Sequence, residues 1–148
     1  PANLHVIGKG INRFHSIYWI GMLLSAGLAT PKSISVHGYI TANGQKMSKS
    51  LGNVIDPFEV VAQFGLEPVR YYLLKAIPTH GDGDFSPEKC AEIYTADLAN
   101  GLGNLCSRVA KMCEKSGQEF PVAKPVDFHP EFTQLMENFE LDSAVNWI

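Results

Sequence analysis

Between Leu4 and Ile40 the hydrophobic period changes twice, and that alternation narrows the class of fold open to the chain. "LHVIG" (Leu4 to Gly8) is a short apolar run closed by a glycine, the pattern of a buried strand. From Ile11 the spacing lengthens. Ile11, Phe14, His15, Tyr18 and Met22 recur at i, i+3 and i+4, one face of a helix that Gly27 can end. "SISVHGYI" (Ser33 to Ile40) then alternates and is rich in β-branched residues, which predicts a second strand. Two strands joined through a helix must lie parallel in one sheet, because the helical crossover carries the chain back to the same edge. The expectation is an α/β domain.

The second strand leads into "GQKMSKSLGN", residues 44–53. This run has no helical or strand period, and by composition alone it is a solvated loop. It also holds two compact mobile cations, Lys46 and Lys49, suited to phosphate oxygens. Ser48 and Ser50 add hydroxyl donors, and Gly44 and Gly52 let the segment swing. Ligands of open α/β sheets gather at the carboxyl ends of strands, where this loop emerges.

Asp56-Pro57-Phe58-Glu59 reads as a helix start: Asp56 as cap, Pro57 in the first turn, Glu59 as the return arm of a capping box. Two short helices are predicted, one up to Gly65 and one from Glu67 to about Ile77. "PTHGDGDFSPE" reads as a turn-rich hinge. Ser86 then caps a long helix, with Pro87 in its first turn, that runs through Lys115 to a stop near Gly117. Pro121, Pro125 and Pro130 space a linker before a last helical segment from Glu131 to Ile148. The organisation is a partial α/β unit, a hinge, then the first helices of an all-α unit. Starting at Pro1 and stopping inside a helical pattern, the sequence reads as a piece of a longer chain.

Composition excludes some classes of function. At 148 residues and 45% hydrophobic, the chain can bury a core and is not disordered by composition. A net charge of −3 means that any nucleic-acid surface has to be a local patch. The 3 cysteines include no C-x-x-C pair, so neither a zinc knuckle nor a disulfide framework is encoded, and no metal ligands are expected. Cys106 and Cys113 fall on one helical face, where buried packing is expected. The longest apolar stretch, "SIYWIGMLLSAGLA", is too short for a membrane span and contains two glycines. No membrane partner is expected, and a cytoplasmic location is.

"KMSKS" is the signature of class I aminoacyl-tRNA synthetases, and the chain resembles the methionyl members over most of its length. The resemblance rests on separated stretches in family order: "HVIGKG", "RFHSIYWIGMLLSAGL", "VHGYI", "KMSKSLGN", "LEPVRYYLL", "DGDF" and "ADLANGLGNLCSR". It implies the second half of a Rossmann-like nucleotide-binding domain (1–56), a stem-contact region (57–85) and the start of a helical anticodon-binding domain (86–148). It also implies a reaction. Methionine attacks the α-phosphate of ATP, with Mg2+, to give methionyl-adenylate and pyrophosphate, and the methionyl group passes to tRNA(Met). Lys46 and above all Lys49 would neutralise the departing phosphates.

Further site residues come from the same resemblance. Gly8, His37, Ile40, Lys46, Met47, Ser48 and Lys49 match positions around ATP. Phe14, His15 and Tyr18 match the methionine pocket, and aromatic rings do suit a thioether. Asn104 and Arg108, four apart on one helix face, match anticodon-reading residues. Without the family, Phe14 and Tyr18 are core stripe, His15 a core histidine, His37 a strand-end residue, and Asn104 and Arg108 a solvated face.

Gly10 departs from the family, which has an acidic residue there near the substrate amino group. The first half of the active site, with any zinc site, lies outside this sequence, so the piece alone is expected to be inactive and to need that half as a partner. Two alternatives stand beside this reading. One is another class I synthetase, for leucine, valine, isoleucine or cysteine. The other is a non-catalytic tRNA-binding module.

Overall fold

The computed structural model describes residues 2–148. Strand β1 (Leu4–Gly8) pairs in parallel with β2 (Ser33–His37), in a register that sets Leu4 opposite Ser33 and Gly8 opposite His37. The crossover begins with a tight 3₁₀ turn at Lys9–Ile11, widens to a π-helical stretch at Phe14–Tyr18, and ends as helix α1 (Trp19–Ser25). Gly27 stops it in the left-handed region at φ 67°. The predicted strand–helix–strand unit is therefore present.

The second strand is shorter than expected. It ends at His37, and Ile40–Ala42 forms a separate strand, β3, in another sheet. The break falls at Gly38, whose backbone lies so close to the 78–82 loop that an added Cβ would sit 1.9 Å from Gly81 O. That approach requires glycine and bends the chain out of the first sheet. β3 then turns back through Asn43 and Gly44, both at positive φ (52° and 75°), into β4 (Gln45–Lys46). This is a two-residue hairpin of the kind that Asn-Gly favours.

The expected hinge contains a strand. β5 (Gly83–Phe85) pairs in parallel with β3, completing a sheet of order β4-β3-β5. Helix α2 (Pro57–Phe64) starts as expected, with Asp56 Oδ1 accepting Phe58 N–H at 2.8 Å, and α3 (Leu66–Ala76) follows across Gly65. Val60, Val69, Tyr72, Phe85 and Cys90 form the main core, joining α2, α3, β5 and α4 (Pro87–Ile93). The Tyr72 ring meets Phe85 edge-on at 5.1 Å, and its hydroxyl donates to Asp84 O at 2.9 Å. Burial raises the pKa of both the Cys90 thiol and, chiefly, the Tyr72 phenol.

Ser86 caps α4 by accepting Lys89 N–H, as expected. The helix continues through a π-helical stretch (Tyr94–Gly103) into α5 (Asn104–Ser116), which stops at Gly117 in the left-handed region. Asp97 ties this long helix to α3, taking an ion pair from Lys75 at 2.8 Å and a hydrogen bond from the Tyr71 hydroxyl at 3.1 Å. Much of the apolar side of α5 is open: Leu105 and Met112 are exposed. Cys106 is exposed too, against expectation, while Cys113 is partly covered.

The last helical segment is two helices, α6 (Pro130–Glu137) and α7 (Leu141–Trp147), broken where Phe139 takes a positive φ of 59°. α7 docks on the end of α3 through Thr79. The Thr79 hydroxyl donates to Asp142 Oδ1 at 2.8 Å and accepts Leu141 N–H at 3.0 Å.

Candidate active site

The carboxyl ends of β1 and β2 place Gly8 beside His37; a Cβ on Gly8 would lie 3.5 Å from the His37 ring. His37 Nδ1–H donates to Gly38 O at 2.9 Å, which fixes the ring beside Gly8. His37, Gly38 and Ile40 border a groove of about 360 Å³ whose far wall is Leu73, Leu74 and Ile77. No lysine or arginine lines it, so a phosphate would find no cation there.

A second cleft, of about 430 Å³, opens over the crossover helix and is lined by His5, Phe14, His15, Tyr18, Trp19 and Met22. The structure thus brings together all three residues expected at the methionine pocket. Phe14 meets Tyr18 edge-on at 5.5 Å, and the His5 and His15 rings lie 6.1 Å apart. His15 Nδ1–H donates to Ile11 O at 3.0 Å, which fixes the ring over the cleft. Phe14, Tyr18 and Met22 are half or more exposed, so within these residues they are not the core stripe that periodicity alone suggests. Such a wall can take an apolar, polarisable side chain. His5 and Trp19 escape the sequence reading; His5 is recoverable from the strand alternation that puts it on the same face of β1 as Ile7.

The lysine loop hangs from the β3–β4 hairpin. Lys46 ends β4, and Lys49 opens a 3₁₀ turn (Lys49–Leu51) that Gly52 closes at φ 65°. Neither lysine belongs to an ion pair among the described residues. Their charge is free for a ligand. Asn53 closes the loop, its Oδ1 accepting Ser48 N–H at 2.8 Å and its Nδ2–H donating to Lys46 O at 3.1 Å. The Ser48 and Ser50 hydroxyls lie 2.7 Å apart, and Met47 is partly covered. The loop lysines line neither cleft.

Two carboxylates before and within β5, absent from the sequence reading, organise the junction. Asp82 pairs with Lys9 at 2.5 Å and accepts Tyr39 N–H at 2.7 Å, tying the start of the crossover to β3. Asp84 Oδ1 accepts both the Thr41 hydroxyl and Gly44 N–H at 2.6 Å. These donors, Lys9 first for Asp82 and Thr41 first for Asp84, hold both carboxyls below the usual aspartate range. At Gly10, a Cβ would lie 2.5 Å from the Tyr39 hydroxyl, so any side chain there requires Tyr39 to move. Asn104 and Arg108 sit on exposed α5, away from both clefts.

The family profile "tRNA synthetases class I (M)" matches residues 2–110. The chain is 56% identical over 115 residues to a methionine–tRNA ligase of Thermosynechococcus vestitus, covering 78% of this chain and 22% of that protein. A methionine–tRNA ligase of Thermotoga maritima is 54% identical over 115 residues, covering 78% and 18%. The Mycobacterium tuberculosis methionyl-tRNA synthetase solved in complex with methionyl-adenylate superposes with a TM-score of 0.82 at 36% identity, over 99% of this chain and 31% of that one. The chain therefore spans about a fifth of the length of the curated relatives it matches. On sequence and fold together, it belongs to the methionyl-tRNA synthetase family of class I aminoacyl-tRNA synthetases.

Proposed function

We propose that the polypeptide containing this chain is a methionine–tRNA ligase, which activates methionine with ATP and transfers it to tRNA(Met) in the cytoplasm. The observation that carries the reading is the lysine loop: two lysines, without an ion pair among the described residues, on a segment that leaves the carboxyl end of β3. In activation a methionine carboxylate oxygen bonds to the α-phosphorus, the bond to the β-phosphate bridging oxygen breaks, and pyrophosphate leaves with the charge. Lys46 and Lys49 stabilise that charge as it develops, with Ser48 and Met47 shaping the loop around it. Gly8, His37 and Ile40 lie along the nucleotide, with backbone approach allowed at Gly8. Phe14, His15 and Tyr18 hold the methionine thioether in the open cleft.

ATP enters as its magnesium complex. The described residues hold no group of three His, Cys, Asp or Glu side chains able to bind a metal. Magnesium belongs to the nucleotide phosphates in this reading, and its contribution is to neutralise them. Residues 1–56 supply the catalytic half, 57–85 the stem-contact region and 86–148 the start of the anticodon-binding unit, with Asn104 and Arg108 reading the anticodon. By itself the chain is expected to be inactive, because it spans only about a fifth of the length of the ligases it matches.

Methionine-dependent ATP–pyrophosphate exchange, assayed on the polypeptide containing this chain over a panel of amino acids, tests the reading. Exchange with methionine alone is expected. Exchange with leucine, valine, isoleucine or cysteine instead would move it to another class I enzyme. A second reading, a non-catalytic tRNA-binding module, is favoured by one observation: Gly10 brings no carboxylate and the Tyr39 hydroxyl fills that space. No exchange with any amino acid, in a folded protein that binds tRNA, would select it.

A further inference from the structure

The three-stranded sheet is small, and its middle strand is only three residues long. Its geometry still decides where the lysine loop points. Thr41, at the centre of β3, stands opposite Lys46 on one side and Asp84 on the other. Cross-strand partners project from the same face, so Lys46, Thr41 and Asp84 form a row. Within that row the Asp84 carboxylate is engaged by Thr41 and by the Gly44 N–H, not by Lys46.

β5 is in turn held by the core. Phe85 is buried against Tyr72, and the Tyr72 hydroxyl donates to the Asp84 carbonyl at 2.9 Å. Asn43 N–H donates to Phe85 O at 3.3 Å, a further link between the turn and this strand. A continuous path runs from the buried core through Asp84 to the Asn43–Gly44 turn, and from there to the first lysine of the loop. The turn itself needs such a tether. Asn43 and Gly44 are exposed, β4 is two residues long, and a hairpin of that length has little stability of its own.

We propose that Asp84 is a positioning residue for the lysine loop: by clamping the Asn43–Gly44 turn and Thr41, it sets the direction in which Lys46 and Lys49 are presented to the phosphates. The inference rests on the activation reading above, since it concerns the geometry of the group that acts on the leaving pyrophosphate. Asp84 touches no reactant in this scheme. It acts through the loop.

The test is the exchange reaction of the polypeptide containing this chain, run with wild type, Asp84→Ala, Asp84→Asn and Thr41→Val, with kcat and the KM for methionine separated and melting temperature recorded. Both observed bonds end on Oδ1, an atom that asparagine also presents, so Asp84→Asn should recover most of the activity. Asp84→Ala should lower kcat about tenfold or more, the scale of losing hydrogen bonds to a charged acceptor, with the methionine KM unchanged. Thr41→Val, which keeps the volume and loses one donor, should fall between and should fold even if Asp84→Ala does not.

An unchanged kcat in Asp84→Ala and Thr41→Val would overturn the proposal. So would an asparagine variant as impaired as alanine, or a loss carried by the methionine KM. If wild type itself shows no exchange, the activation reading fails and takes this inference with it; if wild type is active and the variants are too, only this inference fails.

Discussion

Asn53 gives the sharpest perturbation of the loop, because one side chain bridges both of its ends. Its carboxamide accepts Ser48 N–H at 2.8 Å and donates to Lys46 O at 3.1 Å. A net hydrogen bond contributes about 1 kcal/mol, so Asn53→Ala should release the closed loop by about 2 kcal/mol. At about 1.4 kcal/mol per factor of ten, the closed-to-open equilibrium constant falls roughly 30-fold. The lysines act only from the ordered form, so kcat for exchange should fall, by up to that factor. The methionine cleft lies elsewhere, and its KM should stay within about twofold. Asn53→Asp keeps the acceptor for Ser48 but sets a carboxylate against the Lys46 carbonyl, and should be nearly as impaired. Amide hydrogen exchange at Ser48 gives a second readout, with lost protection expected in Asn53→Ala. Wild-type kcat in Asn53→Ala, or a rise in methionine KM equal to the loss, would refute the reasoning.

Two further perturbations test the frame around the loop. Gly38→Ala puts a Cβ 1.9 Å from Gly81 O, backbone against backbone, so the β2–β3 connection or the 78–82 loop must move. A cost of about 1–3 kcal/mol is expected as a fall in melting temperature, and an unchanged transition would contradict the close approach. Docking of α7 should depend on pH through Asp142. Partial burial pushes its carboxyl up, but the Thr79 hydroxyl and backbone N–H groups outweigh that and leave it below the ordinary aspartate value. A carboxyl depressed in the folded state contributes stability that is fully present above its unfolded pKa and is lost as pH falls through the folded value. Amide protection at Leu141, whose N–H bonds the Thr79 hydroxyl, should therefore report undocking only in acid, below about pH 4. Thr79→Ala should move that transition to higher pH, and an unmoved transition would count against the cap.

Much of the fold is legible where local chemistry decides it. Asp56-Pro57 and Ser86-Pro87 start helices because a side-chain acceptor and a preset φ act within a few residues. Gly27 and Gly117 end helices for an equally local reason. The break after His37 is not local: Gly38 fits an alternating strand on paper, and only the approach of Gly81 removes it from one. β5 is a strand despite its Gly-Asp-Phe sequence, because Phe85 anchors it in the core and β3 supplies a partner. The Asn43-Gly44 hairpin, in contrast, is a recognised sequence signal that lies just ahead of the more conspicuous lysines. In the candidate site, the lysine loop and the Phe14–His15–Tyr18 group follow from motif and family resemblance. Asn53, Asp82 and Asp84 do not, since their roles come from hydrogen bonds to other segments, up to 73 residues away for Asp82.

The role proposed for the loop lysines is to stabilise charge on the departing pyrophosphate. Single-turnover formation of methionyl-adenylate by the polypeptide containing this chain, wild type against Lys49→Ala, with ATP affinity measured separately, tests it most directly. A rate lower by about 10²–10³ is expected for Lys49→Ala, the scale of losing one preorganised electrostatic contact in a transition state, with ATP affinity little changed. An unaltered rate, or a loss found entirely in ATP binding, would contradict it.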